Sequence, residues 1–350
     1  MSFRELFKVE GLPVFQNKMF ASRAAAVGCA KGNVRLVQDM ETGLIFNATF
    51  DASLLEYDAD YQNEQAHSTV FQKHLESVKT IIQKYFSAKS IIEVGCGKGY
   101  FLDYMSQCGY NITGIDPAYE GNNPNVIKAC FDKSLGLSAD SIVLRHVLEH
   151  MSNPMGFLSA IAEANGGKGK IYIEVPCFDW ICEHSAWFDI FYEHVNYFRL
   201  ADFHRMFGTV YESGNIFGGQ YLYVVADLAT LQKPVLSQVD AFLFPANFLS
   251  DIERLATLAK GKRNAIWGGA SKGVIFALYL QRAGVNIDLI IDINPAKQGK
   301  FIAASGLKVS SPEDGLKMLQ QGDDIFVMNS NYLQEIVRLS NNQFNYIKVD

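Results

Sequence analysis

Glu193 and His194 stand side by side in the most aromatic stretch of this 350-residue chain, Cys177 to Phe207, CFDWICEHSAWFDIFYEHVNYFRLADFHRMF. An imidazole set in an aromatic wall is partly desolvated. An adjacent carboxylate can orient its ring and tune its pKa, as a general base requires. The surrounding Trp180, Trp187, Phe188, Phe191, Tyr192, Tyr197 and Phe198 read as a core helix. A second pair, His146 and His150, is four residues apart and would share one face of a helical turn. Metal ligation there would need a third ligand, so the pair reads as lining the rim of a site, and no metal is expected.

What these groups would act on is indicated by Ser90 to Asp116, SIIEVGCGKGYFLDYMSQCGYNITGID. The run reads as a strand, a glycine-rich turn, an amphipathic helix and a second strand ending in an acid. Gly95, Gly97 and Gly99 let the backbone turn sharply and approach a ligand, and the helix start offers free N–H groups. A dinucleotide fingerprint needs a third small residue where Tyr100 stands, and no Gly-Lys-Ser/Thr follows for a phosphate loop. The remaining pattern is Glu93-x-Gly95-Cys96-Gly97-x-Gly99, with Asp116 placed to grip a ribose diol. It resembles motif I of the class I S-adenosylmethionine (SAM) methyltransferases.

The length suits two or three domains, and 49% hydrophobic with 19% charged residues is ordinary globular composition. A net charge of −6 with no basic cluster argues against a nucleic-acid partner. No apolar run reaches membrane-span length, the charged start MSFRELFKVEG is unlike a signal peptide, and six scattered cysteines suit a reduced, cytoplasmic protein. Three units are expected. Residues 1–75 carry a hairpin, Val34 to Gln38 and Leu44 to Asn47, then a polar segment with Tyr57, Tyr61 and Asn63 as a candidate substrate loop before a helix from about Ser68. Residues 76–228 alternate strand and helix as a doubly wound α/β sheet, with Val126 to Cys130, Ser141 to Leu144, Lys170 to Pro176 and an antiparallel pair over Thr209 to Asp227. Pro117, Phe131 and Asp132 follow strands where a nucleoside would lie, and His146 sits at a strand's carboxyl end. Residues 229–350 hold a helix, Ala246 to Leu258, and a Rossmann-like lobe. Its turn Gly268-x-Ala270-x-x-Gly273 lacks a middle glycine, and its Lys272 could meet a phosphate.

Taken together, LPVFQN, GLIFNATFD, the Tyr61 to His74 segment, IIEVGCGKG, HVLEHMSNP, FYEHVNYF, and WGGASKG with INPAKQGKF span nearly the whole chain. In this set the chain resembles the bacterial SAM-dependent sugar C-methyltransferases, which combine a small N-terminal zinc-binding domain, a class I methyltransferase domain and a C-terminal Rossmann-like domain. One departure stands out: where the second Cys-x-x-Cys pair would lie there are Asp39 and Thr42, and Cys29 is the lone cysteine of that unit. The N-terminal domain is therefore expected to bind no zinc and to be held by apolar packing alone. The resemblance implies that Glu93, Gly95, Gly97 and Asp116 hold SAM and that His194, supported by Glu193, is a base. His150 and Tyr61 would orient or stabilise an enolate, and Tyr57, Asn63, Tyr192, Asn196, Tyr197 and Lys272 would border the acceptor. The implied reaction is C-methylation beside a keto group of a nucleotide-linked sugar. O- or N-methylation of another small metabolite, or a SAM-binding protein without catalysis, remain alternatives on the residues alone.

Overall fold

The computed structural model describes residues 2–55, 61–62, 64–86, 90–237 and 242–350; Tyr57 and Asn63 lie outside the described residues. The alternation in the N-terminal region gives an antiparallel sheet. Phe3–Pro13 pairs with Lys31–Asp39, which pairs with Ile45–Asn47 in the expected hairpin, Leu36 opposite Asn47 and Gln38 opposite Ile45. A fourth strand, Asn196–Tyr197, arrives from 150 residues downstream and pairs with Phe46 and Ile45. The hairpin turn that lacks cysteines is closed by hydrogen bonds. The Asp39 carboxylate accepts from Glu41 N–H at 2.8 Å, the Asp39 carbonyl from Gly43 N–H at 2.8 Å, and Gln38 Nε2 donates to the Gly43 carbonyl at 3.2 Å. Arg205 and Leu236 pack directly over Gly43. Apolar packing is thus supplemented by turn hydrogen bonds and a borrowed strand.

The central sheet has seven strands: β1 Ile91–Val94, β2 Ile112–Ile115, β3 Val126–Ile127, β4 Ser141–Arg145, β5 Lys170–Pro176, β6 Val210–Ile216 and β7 Tyr221–Asp227. Their order is β3-β2-β1-β4-β5-β7-β6, parallel except for the last pair, and β7 runs antiparallel to β5 with Tyr221 opposite Pro176. This is the class I methyltransferase arrangement. β1 is buried throughout, as a parallel strand covered on both faces must be. The C-terminal lobe is a second parallel sheet of five strands, centred on Asn264–Trp267. It is covered by helix Lys272–Arg282, in which Gly273 to Leu280 are all buried. A Cβ on Gly273 would lie 2.0 Å from the Gly268 carbonyl, so glycine is required where this helix meets its strand. Phe301–Ile302 pairs with Met19–Phe20, tying the first unit to the last.

Two expectations are corrected. Cys177 to Phe207 is not one helix: it folds as helix Phe178–Glu183, a 3₁₀ turn Trp187–Asp189, an extended loop and helix Leu200–Met206. Its aromatics serve different units, which no single helical face can do. Trp187 stacks on Phe276 of the C-terminal lobe, and Tyr192 packs on Phe50 of the N-terminal sheet. The linker helix begins at Asp251, not Ala246, with Asp251 and Glu253 in its first turn, where the helix dipole favours acids.

The Tyr192 ring leaves no room for a side chain at Gly32, whose Cβ would fall 2.1 Å from Tyr192 Cε2. Gly32→Ala is expected to lower unfolding free energy by about 1–3 kcal/mol, the cost of overpacking a core. Urea unfolding checks this, and an unchanged midpoint would count against the packing described.

Candidate active site

The carboxyl ends of β1 and β4, the loop carrying Glu193 and His194, and the first turn of the C-terminal lobe enclose one cavity of about 390 Å³. That size is typical of a small-molecule site. Glu93, Gly95, Cys96 and Gly97 line one wall, His146, Glu149, His150 and His194 another, and Ser271, Lys272, Asn294 and Lys297 the C-terminal side.

The glycine turn has the shape its composition demands. Gly95, Gly97 and Gly99 all take positive φ, 74°, 55° and 81°. A Cβ at Gly95 would strike Val147 at 2.3 Å, whereas nothing lies within 4 Å of one at Gly97, which leaves the loop's outer side open for close approach. Asp116 Oδ2 accepts from Gly97 N–H at 2.8 Å, bracing the turn. Glu93 is buried, and its Oε2 has no hydrogen-bond partner. Burial pushes its carboxyl up to about 8, against the pull of Arg145. These groups fit SAM: an unpartnered carboxyl for the cationic amino-acid part, open backbone beside it, and an acid closing the second strand. Gly99, Asp116 and Pro117 lie beyond the cavity wall. Phe131 and Asp132 likewise lie outside it. Phe131 packs into the core, and the exposed Asp132 caps a 3₁₀ turn through Ser134.

At the end of β4 the chain turns through His146, a non-glycine residue at φ 53°. Such a conformation is strained and persists only where its surroundings hold it. Here His146 Nε2 donates to Glu174 Oε1 at 2.9 Å, and Nδ1 lies 3.5 Å from Glu149 Oε1. Burial opposes the charge on His146, but the two carboxylates outweigh it and raise its pKa to about 9. His146 lines the cavity with both ring nitrogens engaged by acids, so its place is behind the site, and it does not share a helical face with His150. Glu174 itself is fully buried on β5. Its Oε1 also accepts from His74 Nε2 at 3.0 Å and Arg145 at 3.1 Å, and its Oε2 from the Tyr172 hydroxyl at 2.7 Å. These partners overcome the burial and hold its carboxyl well below the usual range.

Glu193 and His194 lie at a bend, Tyr192–Glu193, and their side chains meet different partners. The buried Glu193 accepts at Oε2 from the Tyr61 hydroxyl at 2.7 Å and at Oε1 from Gln16 N–H at 3.4 Å. It therefore does not support the His194 ring; the carboxylate beside His194 is that of Glu149. His194 stands edge-on to His150 at 5.0 Å and to Phe191 at 4.9 Å. Burial, then the neighbouring His150, lower its pKa to about 3, so the ring is neutral with a lone pair available. His150 Nδ1–H donates to the Glu193 carbonyl at 2.9 Å, leaving Nε2 for the cavity.

Three expected acceptor contacts are corrected. The Tyr192 hydroxyl is bonded to the Asp51 backbone, away from the cavity. The Tyr197 hydroxyl bonds the Phe191 N–H at 3.0 Å and carbonyl at 2.9 Å, and Asn196 Nδ2 donates to the Leu148 and Met151 carbonyls at 3.3 and 2.6 Å. Both brace the loops that carry His150 and His194. Lys272 does line the cavity, but its ammonium is paired with Asp189 at 2.9 Å and donates to Gln220 at 2.9 Å, so an incoming phosphate would compete for it. Glu149 and Glu174 were missed by the sequence reading. An acid inside the apolar run KIYIEVP, and one between two histidines in HVLEH, were the available signals.

Residues 63–210 match a family profile described as a methyltransferase domain. The C-methyltransferase NovU of Streptomyces niveus is 22% identical over 289 residues, covering 71% of this chain and 68% of that protein. The mitochondrial ubiquinone biosynthesis O-methyltransferase of Schizosaccharomyces pombe is 24% identical over 104 residues, 25% of this chain and 38% of its own. Among solved structures, the plantazolicin methyltransferase BpumL in complex with SAH is 18% identical, with a TM-score of 0.36 over 47% of this chain and 86% of its own. Among the described residues, no helix is long and apolar enough to cross a membrane. With the glycine cradle at the head of its class I sheet, the chain is a SAM-dependent methyltransferase.

Glu93 makes cofactor binding depend on pH. The ammonium group of the ligand favours its ionised form, so below pH 8 binding must expel a proton. Affinity for S-adenosylhomocysteine should then rise by up to about tenfold per pH unit between pH 6 and 7.5, relative to Glu93→Gln. Calorimetry on both proteins checks this, and identical pH profiles would remove Glu93 from the cofactor wall.

Proposed function

We propose that the enzyme methylates a carbon next to a keto group of a small acceptor, in keeping with the resemblance to sugar C-methyltransferases, and that the acceptor is a nucleotide-linked sugar. The observation that carries this reading is the neutral His194 imidazole facing the same cavity as the glycine cradle. When bound, SAM supplies an electrophilic methyl group on a sulfonium sulfur. Glu93 and the Gly95–Gly97 backbone would hold it. His194 would take the proton from the carbon beside the ketone, and the nearby Glu149 carboxylate would steady the imidazolium that forms. His150, with Nδ1–H fixed on the Glu193 carbonyl, would donate from Nε2 to the enolate oxygen when protonated. Tyr61 has its hydroxyl on Glu193 and would position the acceptor from the opposite side. The polar C-terminal wall, Ser271, Lys272, Asn294 and Lys297, is where the nucleotide would lie.

Methyl-labelled SAM offered with a panel of nucleoside-diphosphate keto-sugars tests this. Label should appear on a carbon of the sugar, located by NMR. His194→Ala should slow transfer by about 10²- to 10⁴-fold while S-adenosylhomocysteine still binds. Transfer to oxygen or nitrogen, or an undiminished rate in the variant, would overturn the C-methylation mechanism.

A further inference from the structure

We propose that Glu149, His150 and His194 together form a binding site for a divalent transition-metal ion on the cavity wall. One carboxylate oxygen and one nitrogen from each imidazole lie within 4.8 Å of one another. Metal bonds of about 2.0–2.2 Å would place these ligands roughly 3.3 Å apart, a gap that modest side-chain rotation closes. Two imidazoles and a carboxylate are a donor set suited to zinc, iron(II), manganese or cobalt, with coordination positions left over for a substrate oxygen.

The surroundings support the assignment independently. Glu149 is only 2% exposed, and its Oε2 has no hydrogen-bond partner. An orphaned buried carboxylate oxygen is costly, and a cation would satisfy it. The Nδ1–H of His150 is fixed on the Glu193 carbonyl at 2.9 Å, which turns the Nε2 lone pair toward the cavity. His146 lies against the other Glu149 oxygen, at 3.5 Å. Such outer contacts are the ones that orient metal ligands. His146 and His150 alone lacked a third ligand; the fold supplies two for His150, and sets His146 behind them.

What the ion would do rests on the methyltransferase reading. The His194 lone pair and the His150 Nε2 would be committed to the ion, so neither could serve as base or enolate donor while it is seated, and a bound ion would block methyl transfer.

The test is titration of chelator-stripped protein with Co²⁺, read by visible absorption, with Zn²⁺ and Mn²⁺ compared by calorimetry. The wild type should bind one equivalent. Glu149→Gln, His150→Ala and His194→Ala should each weaken it by about 10- to 100-fold or more, and His204→Ala, which lies outside the cavity, should not. No stoichiometric binding at millimolar metal, or binding that survives all three substitutions, overturns the proposal. S-adenosylhomocysteine titrations of the same samples show whether each variant is folded. They also keep a failed metal site distinct from a failed methyltransferase reading.

Discussion

A single carboxylate, that of Glu174, fixes the geometry on which the site depends. It is wholly buried at the carboxyl end of β5, where an unpaired charge would cost several kcal/mol. Four donors answer it: His74 from helix Thr69–Tyr85, Arg145 and His146 from the end of β4, and Tyr172 from β5 itself. Together they satisfy both carboxylate oxygens, which ties helix Thr69–Tyr85, the end of β4 and β5 to one point. The consequence for function is the left-handed turn at His146, which directs Glu149 and His150 toward the cofactor cradle on the neighbouring strand.

The N-terminal sheet constrains the other half of the site. Its edge strand Ile45–Asn47 pairs with Asn196–Tyr197, immediately after the loop that carries Glu193 and His194. The Asn47 N–H bonds the Val195 carbonyl, and the Val195 N–H bonds the Glu149 carbonyl, each at 2.7 Å. One backbone chain of hydrogen bonds therefore runs from the N-terminal unit through the His194 loop to the turn after β4. This links the two histidines, which approach within 5.0 Å although they are 44 residues apart. It also gives the first unit a role without cysteine ligands: it is a template for the active-site loop, itself held by Arg205 and Leu236 of the body it serves.

Much of the fold was legible because its signals are local. The apolar runs of β1, β4 and β5, the three positive-φ glycines and the antiparallel pair after Tyr197 all follow from short-range rules. Individual side-chain roles were less legible, because they depend on which unit packs where. Tyr192, Asn196 and Tyr197 flank the histidine and looked like acceptor contacts, yet their polar atoms satisfy backbone groups. The neighbour of His194 in sequence, Glu193, serves Tyr61, while its neighbour in space, Glu149, comes from another strand end. Adjacency in sequence does not give adjacency of side chains, because the bend and the packing of three elements decide which groups meet. Aromatic density misled because rings that fill different interfaces need no helical period.

The central claim is that the glycine cradle and the two histidines serve one reaction space between the central sheet and the C-terminal lobe. A crystal structure of the protein with S-adenosylhomocysteine tests it most directly. The account predicts the amino-acid end beside Glu93 and the Gly95–Gly97 turn, with the sulfur facing the part of the cavity bordered by His150 and His194. Ligand seated elsewhere, or a sulfur screened from both histidines, would contradict it.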